Sequence, residues 1–295
     1  MQNRRDFIRK ASLMLAGGAL APQMLTLTSC GGGAKTVAKN IGLQLYSLRD
    51  MVKEDGIQKV LETVAKMGYK NLETASGDNK TVYGLAPREF RKIVTDLGMK
   101  CTSAHLGQTY TKEKENEVMS WWDQAIDTYN EVGVRYIIQP WMPVNDATTL
   151  DDLKLYCDYF ATVGYKTASA SIAFGYHNHN FEFRKIGDQL IYDFLLNNVS
   201  KNHVCFELDV YWCVDGGGDP VAYLKNHPGQ FKAVHIKDEK EIGASGKMNF
   251  KPIFDQMYAN NIKDWYVEVE EYTNNDPVVS VQQSFDFLNK ADYVK

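Results

Sequence analysis

Four hydrophobic runs in the second half of the chain end on carboxylate or imidazole side chains: Tyr176-His177-Asn178-His179-Asn180-Phe181-Glu182, Glu207-Leu208-Asp209, Val234-His235-Ile236-Lys237-Asp238 and Val267-Glu268-Val269-Glu270. They recur about every 30 residues, the length of one strand–helix unit. Polar groups at the same end of successive parallel strands converge on one point. The recurrence therefore constrains the chain to repeated strand–helix units and predicts a divalent-metal site at one end of them.

The same rhythm runs through the first half. Strand-like runs at Ile41 to Leu45, up to Glu73, Cys101 to His105, Tyr136 to Gln139 and Ile172 to His177 alternate with helical patterns at Ile57 to Met67, Pro87 to Leu97, Lys112 to Val132 and Leu150 to Ala168. Val204 to Leu208, Ala233 to Ile236 and Trp265 to Val269 add three strands, and a helix around Val279 to Leu288 closes the series. Eight such units predict an α/β fold of the (β/α)8 barrel type, a single domain over 38–295. A doubly wound sheet would carry a Gly-rich phosphate turn after its first strand, where this chain has Tyr46-Ser47-Leu48-Arg49. Asp215-Gly216-Gly217-Gly218-Asp219 lacks that spacing and is expected to be a flexible loop at the barrel mouth.

Residues 1–37 read as a separate leader. Asn3-Arg4-Arg5-Asp6-Phe7-Ile8-Arg9-Lys10 resembles a twin-arginine export signal, and the apolar stretch from Ala11 to Leu27 is too interrupted to span a membrane. Leu27-Thr28-Ser29-Cys30 is similar to a lipobox, so the protein is expected to be exported, periplasmic and lipid-anchored at Cys30, with Gly31 to Asn40 as a flexible tether. The formal charge of −4 gives no electrostatic case for nucleic acid. Cys101, Cys157, Cys205 and Cys213 show no CxxC pair and are expected to be free, buried thiols.

Polar residues at the predicted strand ends include Gln44, Arg49, Glu73, His105, Gln139, His177, His179, Glu182, Asp209, His235, Lys237, Glu268 and Glu270. A single strand-end histidine is usually a hydrogen-bonded structural residue, whereas polar groups at nearly every corresponding end indicate a site. Tyr46, Trp141, Tyr176, Tyr211 and Trp212 could stack on a sugar ring or fill the barrel top, with Trp141-Met142-Pro143 as a pocket wall.

The segments HNHNFEF (177–183), ELDVYW (207–212), GDPVAYL (218–224), VHIKD (234–238) and VEVEE (267–271) resemble the sugar phosphate isomerase/epimerase family, the xylose-isomerase-like barrels. The first two are more similar to an exported branch near keto-sugar metabolism. The resemblance spans essentially residues 40–295 and implies one divalent ion held by a Glu, an Asp, a His and a second Glu from the last four strands. Asp209, His235 and Glu268 match that pattern. At the usual first-Glu position the chain has His177, with the nearest carboxylate at Glu182; Glu182 is favoured as fourth ligand and His177 is the alternative. Mixed oxygen and nitrogen ligands suit Mn²⁺, Co²⁺, Zn²⁺ or Mg²⁺.

The resemblance further implies an enzyme that removes a proton next to the carbonyl of a small-molecule sugar. His179, His177 and Lys237 are the expected catalytic groups, and Glu73, His105, Gln139, Trp141 and Glu270 the expected substrate contacts. An exported member would meet few sugar phosphates, and no basic phosphate cradle is visible. The expected reaction is therefore that of a lyase or hydratase cleaving 3-keto-glycosides, with isomerisation or epimerisation as the alternative. A non-catalytic sugar-binding lipoprotein is the further alternative.

Overall fold

The computed structural model describes residues 39–295. The export signal, the Cys30 anchor and the tether up to Ala38 lie outside the described residues. Eight parallel strands close into a barrel: β1 Gly42–Gln44, β2 Asn71–Thr74, β3 Lys100–His105, β4 Tyr136–Gln139, β5 Ala173–His177, β6 Val204–Asp209, β7 Phe231–Lys237 and β8 Asp264–Glu268. Each strand pairs with its neighbours in sequence, and β8 returns to β1. This is the (β/α)8 architecture that the strand–helix rhythm predicts.

The helices are α1 Arg49–Asp55, α2 Ile57–Met67, α3 Pro87–Asp96, α4 Glu115–Val132, α5 Leu150–Ala168, α6 Ile191–Asn198, α7 Val210–Asp215, α8 Pro220–Asn226, α9 Phe250–Ala259 and α10 Pro277–Lys290. In α2 the residues Ile57, Val60, Leu61, Val64 and Met67 are buried, one stripe at helical spacing laid on the barrel. Gly68 ends that helix at φ 109°, a backbone conformation that glycine adopts without steric cost. At the start of α5, Thr149 and Asp152 cap each other reciprocally. Among the described residues, no helix is long and apolar enough to cross a membrane. All four cysteines of the described chain are free and buried.

Pairing register brings the site together. His177 lies beside Glu207, Asp209 beside His235, and Lys237 beside Glu268. Because side chains alternate along a strand, Glu207 and Asp209 share one face of β6, as His235 and Lys237 do on β7. The Asp215–Asp219 segment leaves α7 as a turn, as expected of a loop. A Cβ on Gly216 would come within 2.7 Å of the Phe183 ring, and one on Gly218 within 2.8 Å of Cys213 and Phe183. Gly216 and Gly218 let the turn pack against Phe183 and Cys213, while Gly217 faces open space.

Candidate metal centre and its pocket

Four donor groups converge at the C-terminal ends of β5 to β8: His177, Asp209, His235 and Glu268, all buried. His177 Nε2 lies 3.6 Å from Asp209 Oδ2, and His235 Nδ1 lies 3.3 Å from Glu268 Oε2 and 4.0 Å from Asp209 Oδ2. Both ring nitrogens of His177 and Oδ2 of Asp209 are buried without a hydrogen-bond partner. Leaving such groups unpaired costs about 1–3 kcal/mol each, and a shared cation would satisfy them together. Two imidazoles and two carboxylates are a competent donor set for a first-row divalent ion, so the residues present fit the metal that the sequence pattern implies.

Glu182 is not part of this cluster. The chain turns through a short 3-10 segment at Phe181–Phe183, which carries the carboxylate back onto its own loop. There it accepts the Tyr176 hydroxyl and, at 2.9 Å, the His179 backbone N–H. Burial raises its pKa to about 7 against the pull of those donors. His177, the other candidate for the strand-five position, is the side chain that meets Asp209 and His235.

The loop after β5 is tied to β6. Asn178 accepts the Asp209 backbone N–H at 3.1 Å and donates to the Asp209 carbonyl at 3.2 Å, while Tyr192 donates to the same Asn178 oxygen. Asp209 Oδ1 in turn accepts the Trp212 backbone N–H at 2.7 Å, so one carboxylate oxygen caps α7 and the other faces His177.

His179 lies beside the centre, its ring 5.1 Å from that of His177 and stacked on Phe181 at 5.5 Å. Burial, then the neighbouring His177, brings its pKa down to about 3. Lys237 reaches Glu270 at 2.9 Å and Glu268 at 3.4 Å. Burial opposes its charge, but the carboxylates of Glu268, Asp209 and Glu270 outweigh that and hold its pKa at about 12. Lys237 is thus a fixed cation. Burial pushes Asp209 up to about 7, with Lys237 pulling the other way.

A pocket of about 650 Å³ opens over these groups. His105, His177, His179, Glu268 and Glu270 line its polar side, and Tyr46, Trp141, Met142, Pro143, Val144 and Phe181 its apolar side. Trp141 and Tyr46 stay exposed, at 42% and 43%. Trp141, His105 and Glu270 therefore reach the pocket as expected from the sequence, and Gln139 and Glu73 do not line it. The Gln139 amide is committed to the carbonyls of Gln108 and Trp141 and to the Tyr159 hydroxyl. Tyr176, expected among the stacking aromatics, is fully buried beneath Phe160.

Below the centre, Glu73, His105, Glu207 and His235 form a second buried cluster that shares His235 with the first. Glu207 is the residue that sequence reasoning passed over as a site residue. Its signal was present in the Glu207-Leu208-Asp209 alternation, which turns both acids to one face.

The family model of the xylose isomerase-like TIM barrel matches residues 61–291. A sugar phosphate isomerase/epimerase from Parabacteroides distasonis is 35% identical over 89% of this chain and 97% of its own, with a TM-score of 0.81. A second structure of that description and organism is 37% identical over 87% of this chain and all of its own, also at 0.81. A 3-keto-D-glucoside 4-epimerase from E. coli shares the fold at 17% identity and a TM-score of 0.66, over 86% of this chain and all of its own. No curated protein matches the chain. A closed barrel, a buried His and carboxylate centre at its mouth and these likenesses agree: the chain belongs to the xylose isomerase-like TIM-barrel family of sugar phosphate isomerases/epimerases.

Proposed function

We propose that the protein is a metal-dependent enzyme that removes a proton alpha to the carbonyl of a keto-sugar, and that its reaction is the cleavage of 3-keto-glycosides. The observation that carries this reading is the pairing of the four-donor centre, with His177 as the strand-five ligand, and the two-sided pocket above it. A divalent cation there would supply Lewis-acid polarisation of the sugar carbonyl. The apolar wall of Trp141, Met142, Pro143 and Val144 suits the body of an aglycone.

The remaining chemistry falls to the chain's own residues. Burial keeps His179 neutral, so it enters the reaction as a proton acceptor. The C2–H bond breaks, its electron pair forms a C1=C2 bond, and the C1–O pair leaves with the aglycone oxygen, which takes up a proton. His179, holding the abstracted proton, is the group placed to return it. Lys237 offsets negative charge that develops on the sugar oxygens next to Glu268 and Glu270.

The second reading, isomerisation or epimerisation, shares the first proton removal and differs only in where the proton returns. It is favoured by the names of the family's relatives and by the 3-keto-D-glucoside 4-epimerase that shares the fold. Incubating metal-loaded protein with 3-keto-glycosides separates the two: free aglycone supports cleavage, and a rearranged intact glycoside supports epimerisation. Binding with neither product would sink both in favour of a sugar-binding protein.

Location is a separate part of the proposal, supported by Arg4-Arg5 and by Leu27-Thr28-Ser29-Cys30. Replacing Cys30 by Ser should move the protein from the membrane fraction to the soluble periplasmic fraction. Equal membrane retention of that variant contradicts the anchor.

A further inference from the structure

The two buried clusters have similar composition but different spacing. A cation with bonds of about 2.0–2.2 Å holds neighbouring donors roughly 3.0–3.5 Å apart, from right-angled to tetrahedral geometry. The upper separations of 3.3, 3.6 and 4.0 Å leave room for such an ion to draw its ligands in. In the lower cluster, His235 Nε2 is 2.6 Å from Glu73 Oε2, and His105 Nε2 is 2.7 Å from Glu207 Oε2. The crossed pairs measure 3.1 Å for His235 with Glu207 and 3.2 Å for His105 with Glu73. The two short distances are those of charge-assisted hydrogen bonds.

In the lower cluster Glu73 Oε1 and Glu207 Oε1 are buried without a partner, but the Oε2 oxygens are fully engaged. Glu73 Oε2 faces three nitrogens: His235, His105 and, at 2.7 Å, the Gln44 amide Nε2, which is a donor only. An ionised carboxylate oxygen that already receives an amide N–H is arranged as an acceptor for the imidazole N–H groups, which leaves their protons on nitrogen. His235 therefore has two faces, Nε2 toward Glu73 and Glu207, and Nδ1 toward Asp209 and Glu268.

We propose that Glu73 and Glu207, backed by Gln44 and His105, are positioning residues that keep the His235 proton on Nε2 and so present the Nδ1 lone pair to the metal of the upper cluster; the lower cluster takes no ion of its own. Such carboxylate partners typically change metal affinity by about 10–100-fold. The inference rests on the metal centre of the proposed function but not on its substrate.

The test is a titration of chelator-treated full-length protein with Mn²⁺ and with Zn²⁺, following stoichiometry and Kd. Wild type should take one ion per chain. Glu73→Gln and Glu207→Gln should still take one, with Kd about 10–100-fold weaker and Tm close to wild type. In the metal-free wild type, imidazole ¹⁵N shifts should place a proton on His235 Nε2, and either variant should shift that signal. Two variants on different strands guard against one failing to fold. A wild type that takes two ions, falling to one in Glu73→Gln, would make the lower cluster a metal site and overturn the proposal. One ion with unchanged Kd and unchanged ¹⁵N shifts in both variants would overturn it as well. A wild type that binds no ion removes the metal centre itself, an outcome distinct from either.

Discussion

The two halves of the barrel carry different burdens. Strands β1 to β4 are joined by helices of 7 to 18 residues, α1 to α4, and the 19-residue α5 leads from β4 to β5. Their mouth supplies mainly shape: Tyr46, Trp141, Met142, Pro143 and Val144. Strands β5 to β8 are separated by shorter helices of 6 to 10 residues, α6 to α9. Their mouth supplies His177, Asp209, His235 and Glu268. One repeated unit thus serves two ends, and the difference shows that closure of the sheet does not require the chemistry to be spread evenly around it. The half with the 18-residue helix supplies most of the apolar pocket wall, and the other half holds the buried donor cluster.

Removing a donor from the second half should have the largest effect. Asp209→Ala should lose bound metal and bring activity to background while far-ultraviolet circular dichroism stays native. Full activity in a metal-free variant would dissolve the distinction between the halves. Next comes His179→Asn, which should lower kcat by about 10²–10⁴-fold, the usual contribution of a general acid–base group, with metal content unchanged. Loss of α-proton exchange in deuterated water together with cleavage assigns it the base role; loss of metal instead would move His179 into the ligand set.

A change in the first half should act on binding. Trp141→Ala should raise KM for a glycoside about tenfold, equivalent to roughly 1.4 kcal/mol, and leave kcat near wild type. A drop confined to kcat would show that the shaping wall takes part in the chemistry.

The smallest effect concerns pH. Burial raises the Glu182 carboxyl from an ordinary 4.5 to about 7 in the folded protein. A carboxyl raised in this way contributes stability that is complete below pH 4.5 and is lost as pH rises through 7. The Tm of wild type should therefore gain less, or fall more, than that of Glu182→Gln across this window. Parallel Tm curves for the two proteins would place the ionisation of Glu182 outside the folding equilibrium.

Legibility in the sequence divides along the same line. Ile57–Met67 and Leu150–Ala168 were readable to the residue because their apolar stripes are long and regular, with Gly68 ending the first and the Thr149–Asp152 capping box starting the second. The helices Ile191–Asn198, Val210–Asp215 and Pro220–Asn226 were not located, since six to eight residues give too few turns for a period to emerge. At the site, Asp209, His235 and Glu268 are implied by the family resemblance, and the structure brings all three together. Glu182 could not be placed by counting. Its position five residues after His177 says nothing of the turn at Phe181–Phe183, which points the carboxylate back at Tyr176. Glu207 needed the converse insight, that an acid one turn of the pleat below a ligand serves that ligand's neighbour.

Asn178 has a consequence for how a substrate enters. By bonding both the N–H and the carbonyl of Asp209, its amide joins the corner that carries His179 to the strand that carries Asp209 of the candidate metal centre. Swinging that corner outward would break both bonds and strip Asp209 of its support. The Pro140–Val144 segment follows the neighbouring strand β4 and carries the exposed Trp141 at the rim of the pocket.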